Sequence, residues 1–439
     1  MNRFFILTLT AATLLSCAAD KAVTGQPMRN EKVVFDDYFT GNTMRFDFHH
    51  AGDSKHESYH FDKVIREGEW AGSKVSLINP FDYGEQYFRI IDKATGNVIY
   101  KNNYCTLFNE WQTTPEAEVT TRSFPEGVIF PEPAKDFCIE FYARNKQTKN
   151  WEKLYSQDVN VKDYNIVPQK RLYKSIDIHI GGDIAHSLDI VLLPDGFTAD
   201  EKEKFLASCR MWSEALFSYE PFTSNAHRIN IRAVWAPSNE SGVSKPGTGE
   251  WVDNLFETRF YMLGSERYQM TEEFQKVRDV ASNAPYESIF ILTNTDKYGG
   301  GGIYNFYGLG SAGKTGRTGE VYVHEFGHSL MGLGDEYIEK GNTVSALYPA
   351  GKEPWEANLT RLVNFNGKWE DMIAEGTPTP TIAAEGSTEK DWVIGTYEGG
   401  GYLEKDIYRG WPECMMKALT DFCPVCQRAI TRYLDYICK

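Results

Sequence analysis

The stretch HEFGHSLMGLGDEY, residues 324–337, contains the candidate chemistry of the chain. Residues four apart in a helix lie on one face, so His324 and His328 can present two imidazoles to one metal ion. Neutral imidazole is a good ligand for Zn²⁺, and Glu325 lies beside the first histidine. A glutamate at that position can take a proton from a zinc-bound water and later deliver it to a leaving amine. The stretch therefore predicts one catalytic zinc site on a helix.

The third zinc ligand is expected shortly after this helix. Gly332 and Gly334 can end the helix and turn the chain back beneath the metal. The turn brings Asp335 or Glu336 to the metal, and the sequence favours Asp335 without excluding its neighbour. The spacing HExxHxxxGxxD resembles the metzincin pattern HExxHxxGxxH with one extra residue. The alternative is a buried helix whose histidines only make hydrogen bonds.

Strands precede this helix and indicate an α/β domain over residues 168–439. LDIVLLP is nearly all apolar, as a strand covered on both faces should be. Thr198 and Glu201 then form a capping box at the start of an amphipathic helix. INIRAVW and SIFILT are two further predicted strands.

The glycine-rich stretch GGGGIYNFYGLG, residues 299–310, is the candidate substrate-binding edge strand. A peptide can bind there as an additional strand, with Tyr304 and Phe306 facing side-chain pockets. A surface loop with its aromatic side chains packed inward is the alternative. The tetrahedral intermediate also needs a stabilising donor, for which Tyr408 is the candidate, with Tyr337 as a second choice.

Residues 31–165 contain short aromatic and β-branched runs separated by turn signals, which indicates an antiparallel β-sandwich. The predicted strands are SKVSLINP, QYFRIIDK, NVIYKNNY and FCIEFYAR. Four histidines in this region lack carboxylates or cysteines at ligand spacing, so we interpret them as surface or sheet residues. The complete fold prediction is therefore of the α+β and α/β type, with a β-sandwich before the α/β domain.

The first residues read as an export signal rather than as part of the fold. MNRFFILTLTAATLLSC combines an early arginine, an apolar stretch and a Leu-Leu-Ser-Cys end, which predicts a lipoprotein signal peptide over 1–17. Cys17 would carry the lipid, and 18–30 would be a tether. We expect an exported protein anchored to the cell envelope, at the outer membrane and cell surface or in the periplasm. Ordinary signal cleavage is the alternative.

The length, hydrophobic content and net charge of the chain limit its number of domains and the classes of molecule that it can bind. The chain has 439 residues, enough for two or three domains, and 41% hydrophobic residues provide for a sizeable core. A formal net charge of -15 argues against a phosphate-binding surface, so no nucleic-acid partner is expected.

The remaining cysteines suggest disulfides, because an exported chain meets an oxidising compartment. Cys423 and Cys426 form a CxxC pair that can be half of a structural zinc site, a redox pair or disulfide partners. A second CxxC does not occur in the sequence, so we favour structural crosslinking near the C-terminus.

Several ordered motifs together resemble the bacterial IgA-peptidase family of zinc metallopeptidases. They are LLPDGFTADEKEKF, HEFGHSLMGLGDEY, YEGGGYLEKDIYRG and CMMKALTDFCPVCQRAI, and they span the C-terminal two-thirds of the chain. The resemblance implies a metzincin-like peptidase domain preceded by the family's N-terminal β domain. It carries over the roles of His324, Glu325 and His328, matches Asp335 to the family's acidic turn, and makes Met416 the methionine of the turn beneath the metal.

We therefore expect a lipid-anchored, zinc-dependent endopeptidase that hydrolyses protein or glycoprotein substrates. A surface lipoprotein that binds glycans or proteins, with little or no activity, is the alternative from another class. A zinc amidase acting on cell-wall peptides is a third possibility.

Overall fold

The computed structural model describes residues 33–313 and 316–439, which form a mixed α/β protein with several sheets. The strands are β1 (Phe39–Gly52), β2 (Glu57–Glu69), β3 (Gln86–Asp92), β4 (Val98–Tyr104), β5 (Arg122–Pro133), β6 (Phe137–Arg144), β7 (Trp151–Val159), β8 (Val167–Pro168), β9 (Lys174–Ile180), β10 (Leu188–Asp195), β11 (Ile229–Trp235), β12 (Ser288–Thr293), β13 (Gly300–Ile303), β14 (Tyr307–Ser311), β15 (Leu359–Thr360), β16 (Tyr397–Gly400) and β17 (Leu403–Arg409). The α-helices are α1 (Phe35–Tyr38), α2 (Leu107–Trp111), α3 (Lys202–Leu216), α4 (Phe274–Ala281), α5 (Thr318–Met331), α6 (Met415–Ala418) and α7 (Pro424–Ile437).

The N-terminal region is built from two four-stranded sheets, with strand orders β5-β1-β2-β8 and β4-β3-β6-β7. Their aromatic side chains share one core: the ring of Phe141 on β6 lies 4.8 Å from that of Phe48 on β1. The β-rich character predicted for this region is confirmed. The strand predicted at SKVSLINP is wrong, because only Ile78 in it makes an isolated bridge.

A six-stranded sheet forms the centre of the C-terminal half, in the order β13-β14-β12-β10-β11-β9. The four inner strands are parallel, and the two edge strands run antiparallel to them. Every residue of β10 is buried, as expected for a strand covered on both faces. The predicted strands β10, β11 and β12 are confirmed, and so is the capping box of Thr198 and Glu201.

Helix α5 is held against this sheet by aromatic packing. Trp212 of α3 contacts Phe290 of β12 and Phe326 of α5, with ring centroids 5.3 and 5.1 Å apart. The buried face of α5 is thereby fixed between α3 and the sheet, which gives the histidines on this helix a rigid support.

The two halves of the described chain form one compact unit. Leu107, Phe108 and Trp111 of α2, from the β-rich half, are buried in the same core as Val191 of β10. The backbone N–H of Cys105 also donates to the carbonyl of Tyr304 at 2.9 Å. The chain thus packs across the boundary predicted between residues 165 and 168.

The predicted signal peptide, the lipidation site Cys17 and the tether lie outside the described residues. Within the described ranges, the helices are all too short or too polar to cross a bilayer.

Candidate active site

Helix α5 presents both histidines of the HExxH sequence, His324 from a buried position and His328 from a half-buried one. His324 is 8% exposed, and the helix ends directly after Met331. Gly332 terminates it in the left-handed conformation, with φ of 63°, and its N–H donates to the carbonyl of His328 at 2.8 Å. A Cβ at Gly332 would lie 2.5 Å from the ring of Trp355, so the turn requires glycine for two reasons.

Three potential ligand atoms converge beside α5. Nε2 of His324 lies 3.1 Å from Nε2 of His328, and Oδ1 of Asp335 lies 3.2 and 3.3 Å from the two nitrogens. A tetrahedral zinc with bonds of about 2.0 to 2.1 Å sets neighbouring nitrogen and oxygen ligands about 3.3 Å apart. The spacing of these three atoms therefore fits one zinc ion.

Hydrogen bonds on the opposite nitrogens fix how the two imidazoles are protonated. Nδ1 of His324 lies 2.9 Å from the carbonyl oxygen of Met415, and Nδ1 of His328 lies 2.5 Å from that of Leu333. A carbonyl only accepts, so each Nδ1 carries hydrogen and each Nε2 faces Asp335, where a ring without hydrogen on Nε2 offers a lone pair to a metal ion. Because Oδ1 of Asp335 is buried without a hydrogen-bond donor, this donor set calls for a cation.

The electrostatics of the three side chains lead to the same conclusion. Burial disfavours a charged imidazole, but the carboxylate of Asp335 outweighs it and raises the pKa of His328 to about 9. Burial alone would raise the pKa of Asp335, yet the two histidines hold it well below its usual range. The carboxylate is therefore ionised and attracts positive charge to this point, as either protons or a metal ion.

The side chains of Asp335 and Glu336, the two candidates for the third ligand, point in different directions. Asp335 faces the histidines, and its Oδ2 accepts a hydrogen bond of 2.5 Å from the hydroxyl of Tyr402. Glu336 is fully buried on the other side of the chain, where Asn358 donates to its Oε1 at 2.9 Å. Asp335 is thus the carboxylate that the structure brings to His324 and His328.

Glu325 lies next to the three converging atoms of His324, His328 and Asp335 but is not one of the three proposed ligands. One of its carboxylate oxygens is within 4.8 Å of a ring nitrogen of each histidine. Burial raises the pKa of Glu325 above its usual value, against the opposing charges of the two imidazoles. A carboxylate whose pKa is raised accepts a proton more readily, so Glu325 is suited to take a proton from a water molecule beside these atoms and to return it.

The two methionines lie beneath the site. The carbonyl of Met415 accepts the hydrogen bond from His324, and the carbonyl of Met416 accepts one of 2.8 Å from the N–H of Glu336. Met416 is fully buried, and its sulfur packs under Gly327 between the two histidines of α5. Met416 therefore supports both the helix and the turn that carry the converging side chains.

Tyr304 and Phe306, the predicted aromatic residues of the substrate edge, are both buried; Tyr304 lines the cleft, whereas Phe306 is not among its lining residues. The edge strand β13 ends at Ile303, and the following turn directs Tyr304 towards Trp355 and Phe306 onto Phe274. The inward packing named as the alternative is what occurs.

The backbone of β13 itself lines the cleft, through Gly300, Gly301 and Gly302. The edge-strand position is therefore occupied by glycines, and their missing side chains leave the strand close to Glu325. A Cβ at Gly300 would lie 3.1 Å from the carboxylate of Glu325.

Tyr408, the predicted stabiliser of the tetrahedral intermediate, lies on β17 paired with Thr360 and is not among the residues that line the cleft. Tyr337, the second choice, lines the cleft. Tyr402 was missed by the sequence analysis: it precedes β17 and reaches Asp335 across 67 positions of the chain. Its only sequence signal is a tyrosine within YEGGGYLEKDIYRG.

An open cleft of about 640 Å³ contains the site. One wall comes from the β-rich half: Glu110 of α2 accepts a hydrogen bond of 2.5 Å from the hydroxyl of Tyr268. Burial raises the pKa of Glu110 to about 7. Because the cleft is open and lined by polar groups and backbone, it can admit a polypeptide segment.

Comparison with known proteins identifies two matching family models. The model of IgA Peptidase M64 matches residues 176–391, and the model of the Peptidase M64 N-terminus matches residues 34–155. A search of curated proteins found no match. The two models together cover both halves of the described fold and the HExxH helix.

Proposed function

The chain belongs to the IgA peptidase M64 family, and we propose that it is a zinc-dependent endopeptidase with a metzincin-like catalytic domain. The single observation that carries this proposal is the convergence of Nε2 of His324, Nε2 of His328 and Oδ1 of Asp335 within 3.3 Å of one another, beside Glu325. The membership in a peptidase family makes peptide bonds the substrate class.

His324, His328 and Asp335 would hold the zinc, which supplies a Lewis acid and lowers the pKa of a water molecule towards 7. Glu325 accepts the proton of the attacking water and returns it to the leaving amine. Met415 and Leu333 keep both imidazoles oriented through their carbonyls.

The substrate is an extended segment of a protein or glycoprotein lying along β13. The glycines of β13 allow the backbone of such a segment to approach Glu325 closely. Tyr337, which lines the cleft next to Asp335, is the proposed donor to the oxyanion that forms at the scissile carbonyl.

The experiment compares wild type with Glu325→Gln and His328→Ala, measuring bound zinc and cleavage of a glycoprotein panel that includes IgA. Glu325→Gln should keep the zinc content of the wild type and lose about 10²- to 10⁴-fold in hydrolysis. His328→Ala should lose both. Glu320→Gln, in the first turn of α5, is the matched control and should change neither.

Folded wild-type chain without zinc at this site would overturn the proposal and favour the alternative of a lipoprotein that binds glycans or proteins. Zinc with cleavage of peptidoglycan stem peptides, but of no protein, would favour the amidase instead.

We further propose that the protein is exported and anchored to the cell envelope through lipid on Cys17, on the strength of the Leu-Leu-Ser-Cys sequence. Cys17→Ala should abolish incorporation of labelled fatty acid and release the protein from the membrane fraction. Retention of label in that variant would exclude Cys17 as the lipidation site.

A further inference from the structure

A second cluster of metal-ligating side chains lies behind the candidate active site. Cys414, Cys423, Cys426 and Glu336 each direct one donor atom inward, and these atoms all lie within 4.8 Å of one another. All four residues are buried, with exposed fractions of 3% or less. The sequence contains a single CxxC motif, so its spacing alone did not predict that Cys414 and Glu336 would join Cys423 and Cys426.

We propose that these four residues bind a second, structural zinc ion. Sγ of Cys414 lies 3.6 Å from Sγ of Cys426, which in turn lies 3.4 Å from Oε1 of Glu336. A tetrahedral zinc with Zn–S bonds of about 2.3 Å sets sulfur pairs about 3.8 Å apart and sulfur–oxygen pairs about 3.5 Å apart. The observed sulfur–sulfur and sulfur–oxygen distances match the corresponding two ligand-to-ligand distances of such a tetrahedron.

A disulfide explains the cluster less well. The sulfur atoms of Cys414 and Cys426 are well beyond the bonding distance of about 2.05 Å, and these cysteines are free. Any one disulfide uses two of the three sulfurs and leaves the third with Glu336. Oε2 of Glu336 is buried and has no hydrogen-bond donor, and a cation held by this carboxylate would satisfy it.

Burial raises the pKa of the Cys414 and Cys426 thiols, and two features of the surrounding backbone oppose this effect. Cys423 is the N-cap of α7 and Cys426 lies in its first turn, where the positive end of the helix dipole stabilises thiolates. The N–H of Cys423 donates to Sγ of Cys414 at 3.3 Å. Soft thiolate ligands in a tetrahedral arrangement select Zn²⁺ over hard cations.

The charge of the cluster is partly offset by Arg409, which acts on Glu336 electrostatically. Its NH1 and NH2 groups donate to three backbone carbonyls, so it does not replace a ligand. Three thiolates and one carboxylate around Zn²⁺ leave two negative charges, one of which Arg409 can balance.

The proposed ion would crosslink the segments that hold the active site. Glu336 directly follows Asp335, and Cys414 directly precedes Met415, whose carbonyl orients His324. Cys423 and Cys426 attach both segments to α7. The second zinc would therefore position Asp335, the proposed third ligand, and the turn of Met415 and Met416, in the way that a disulfide crosslinks two segments.

The test uses the full chain, purified without chelator, with zinc counted and then exchanged for cobalt. We expect two zinc ions per chain. The cobalt protein should show an intense sulfur-to-cobalt charge-transfer band, which two histidines and a carboxylate cannot produce. Cys423→Ser and Cys426→Ser should each lose one zinc and the band, whereas Cys209→Ala, a buried cysteine on α3, should keep both.

His324→Ala/His328→Ala separates this proposal from the proposed peptidase, because it should abolish activity while retaining one metal and the sulfur band. If the cysteine variants fail to fold, the cobalt spectrum of the wild type alone decides. A folded wild type without the sulfur band, or with a Cys414–Cys426 disulfide found by mass spectrometry under non-reducing conditions, would overturn the second zinc site.

Discussion

Tyr402 donates a hydrogen bond of 2.5 Å to Oδ2 of Asp335, while Oδ1 of the same carboxylate lies 3.2 Å from Nε2 of His324. One oxygen is thus fixed by the protein, and the other faces the ring nitrogens of the two histidines. The backbone carbonyl of Asp335 also accepts from the N–H of Gly401 at 2.7 Å. The hairpin of β16 and β17 therefore orients Asp335, the proposed third ligand, as supporting partners of metal ligands commonly do.

Tyr402→Phe removes this hydrogen bond without changing the shape of the ring. We expect zinc affinity at the catalytic site to fall by roughly 10- to 100-fold, because the carboxylate loses its orientation. Competition with a chelator of known affinity measures the change. Tyr408→Phe, outside the cleft on the following strand, is the matched control; equal zinc affinity in Tyr402→Phe and wild type would contradict the role given to Tyr402.

The sequence predicted the local part of the site because that part is set by helix geometry. His324 and His328 need only one turn of α5 to meet, and Gly332 ends the helix where expected. The remaining partners depend on contacts across long stretches of chain. Tyr402 reaches Asp335 across 67 positions, and Cys426 reaches Glu336 across 90.

The directions of side chains near strand ends could not be predicted from the sequence either. The alternation of a strand predicts which residues point the same way only while the strand continues. Because β13 ends at Ile303, Tyr304 and Phe306 belong to a turn, and packing against Trp355 and Phe274 decides their orientation. Strands with long apolar or alternating runs, such as β10, were predictable from the order of apolar residues in the sequence.

Gly302→Ala tests the close approach of β13 to α5. A Cβ at this position would overlap the carbonyl oxygen of Glu325 and lie 2.9 Å from Cβ of His328. The strand or helix must shift, so we expect at least a tenfold loss in kcat/KM and a destabilisation of about 1–3 kcal/mol. Peptide hydrolysis and chemical denaturation measure the two effects.

Gly367→Ala is the control for that substitution, because a Cβ at Gly367 meets no atom within 4 Å. Wild-type activity in Gly302→Ala would show that the strand and helix can separate without cost, contrary to this prediction.

The residues 168–439 should not fold alone, although the sequence predicts them as a domain. Leu107, Phe108 and Trp111 of α2 fill the same core as β10 and β12, and their removal exposes that apolar surface. Buried Arg45 also pairs with Asp279 at 2.5 Å, across the predicted boundary. We expect the isolated fragment to aggregate, and co-expression with residues 18–167 to restore solubility.

Size-exclusion chromatography and near-ultraviolet circular dichroism distinguish these outcomes. A monomeric fragment 168–439 with a cooperative unfolding transition would show that the β-rich half is dispensable for folding.

His50 should make the stability of the β-rich half depend on pH. Its ring is fully buried, with Nε2 2.9 Å from Glu57 and Nδ1 3.2 Å from Glu126. Burial opposes a charged ring, but the two carboxylates outweigh it and raise the pKa of His50 from 6.5 to about 9. A raised pKa contributes stability that is complete below pH 6.5 and is lost as the pH rises through 9.

The free energy of unfolding should therefore fall by at most about 3 kcal/mol between these two pH values, as measured by urea denaturation. His50→Gln cannot be charged, so its free energy of unfolding should be lower than that of the wild type at pH 6.5 and should vary less with pH. His60→Gln, on the same strand pair but exposed, should retain the slope of the wild type. An equal pH slope in wild type and His50→Gln would mean that this buried ring is neutral in the folded protein, contrary to the prediction.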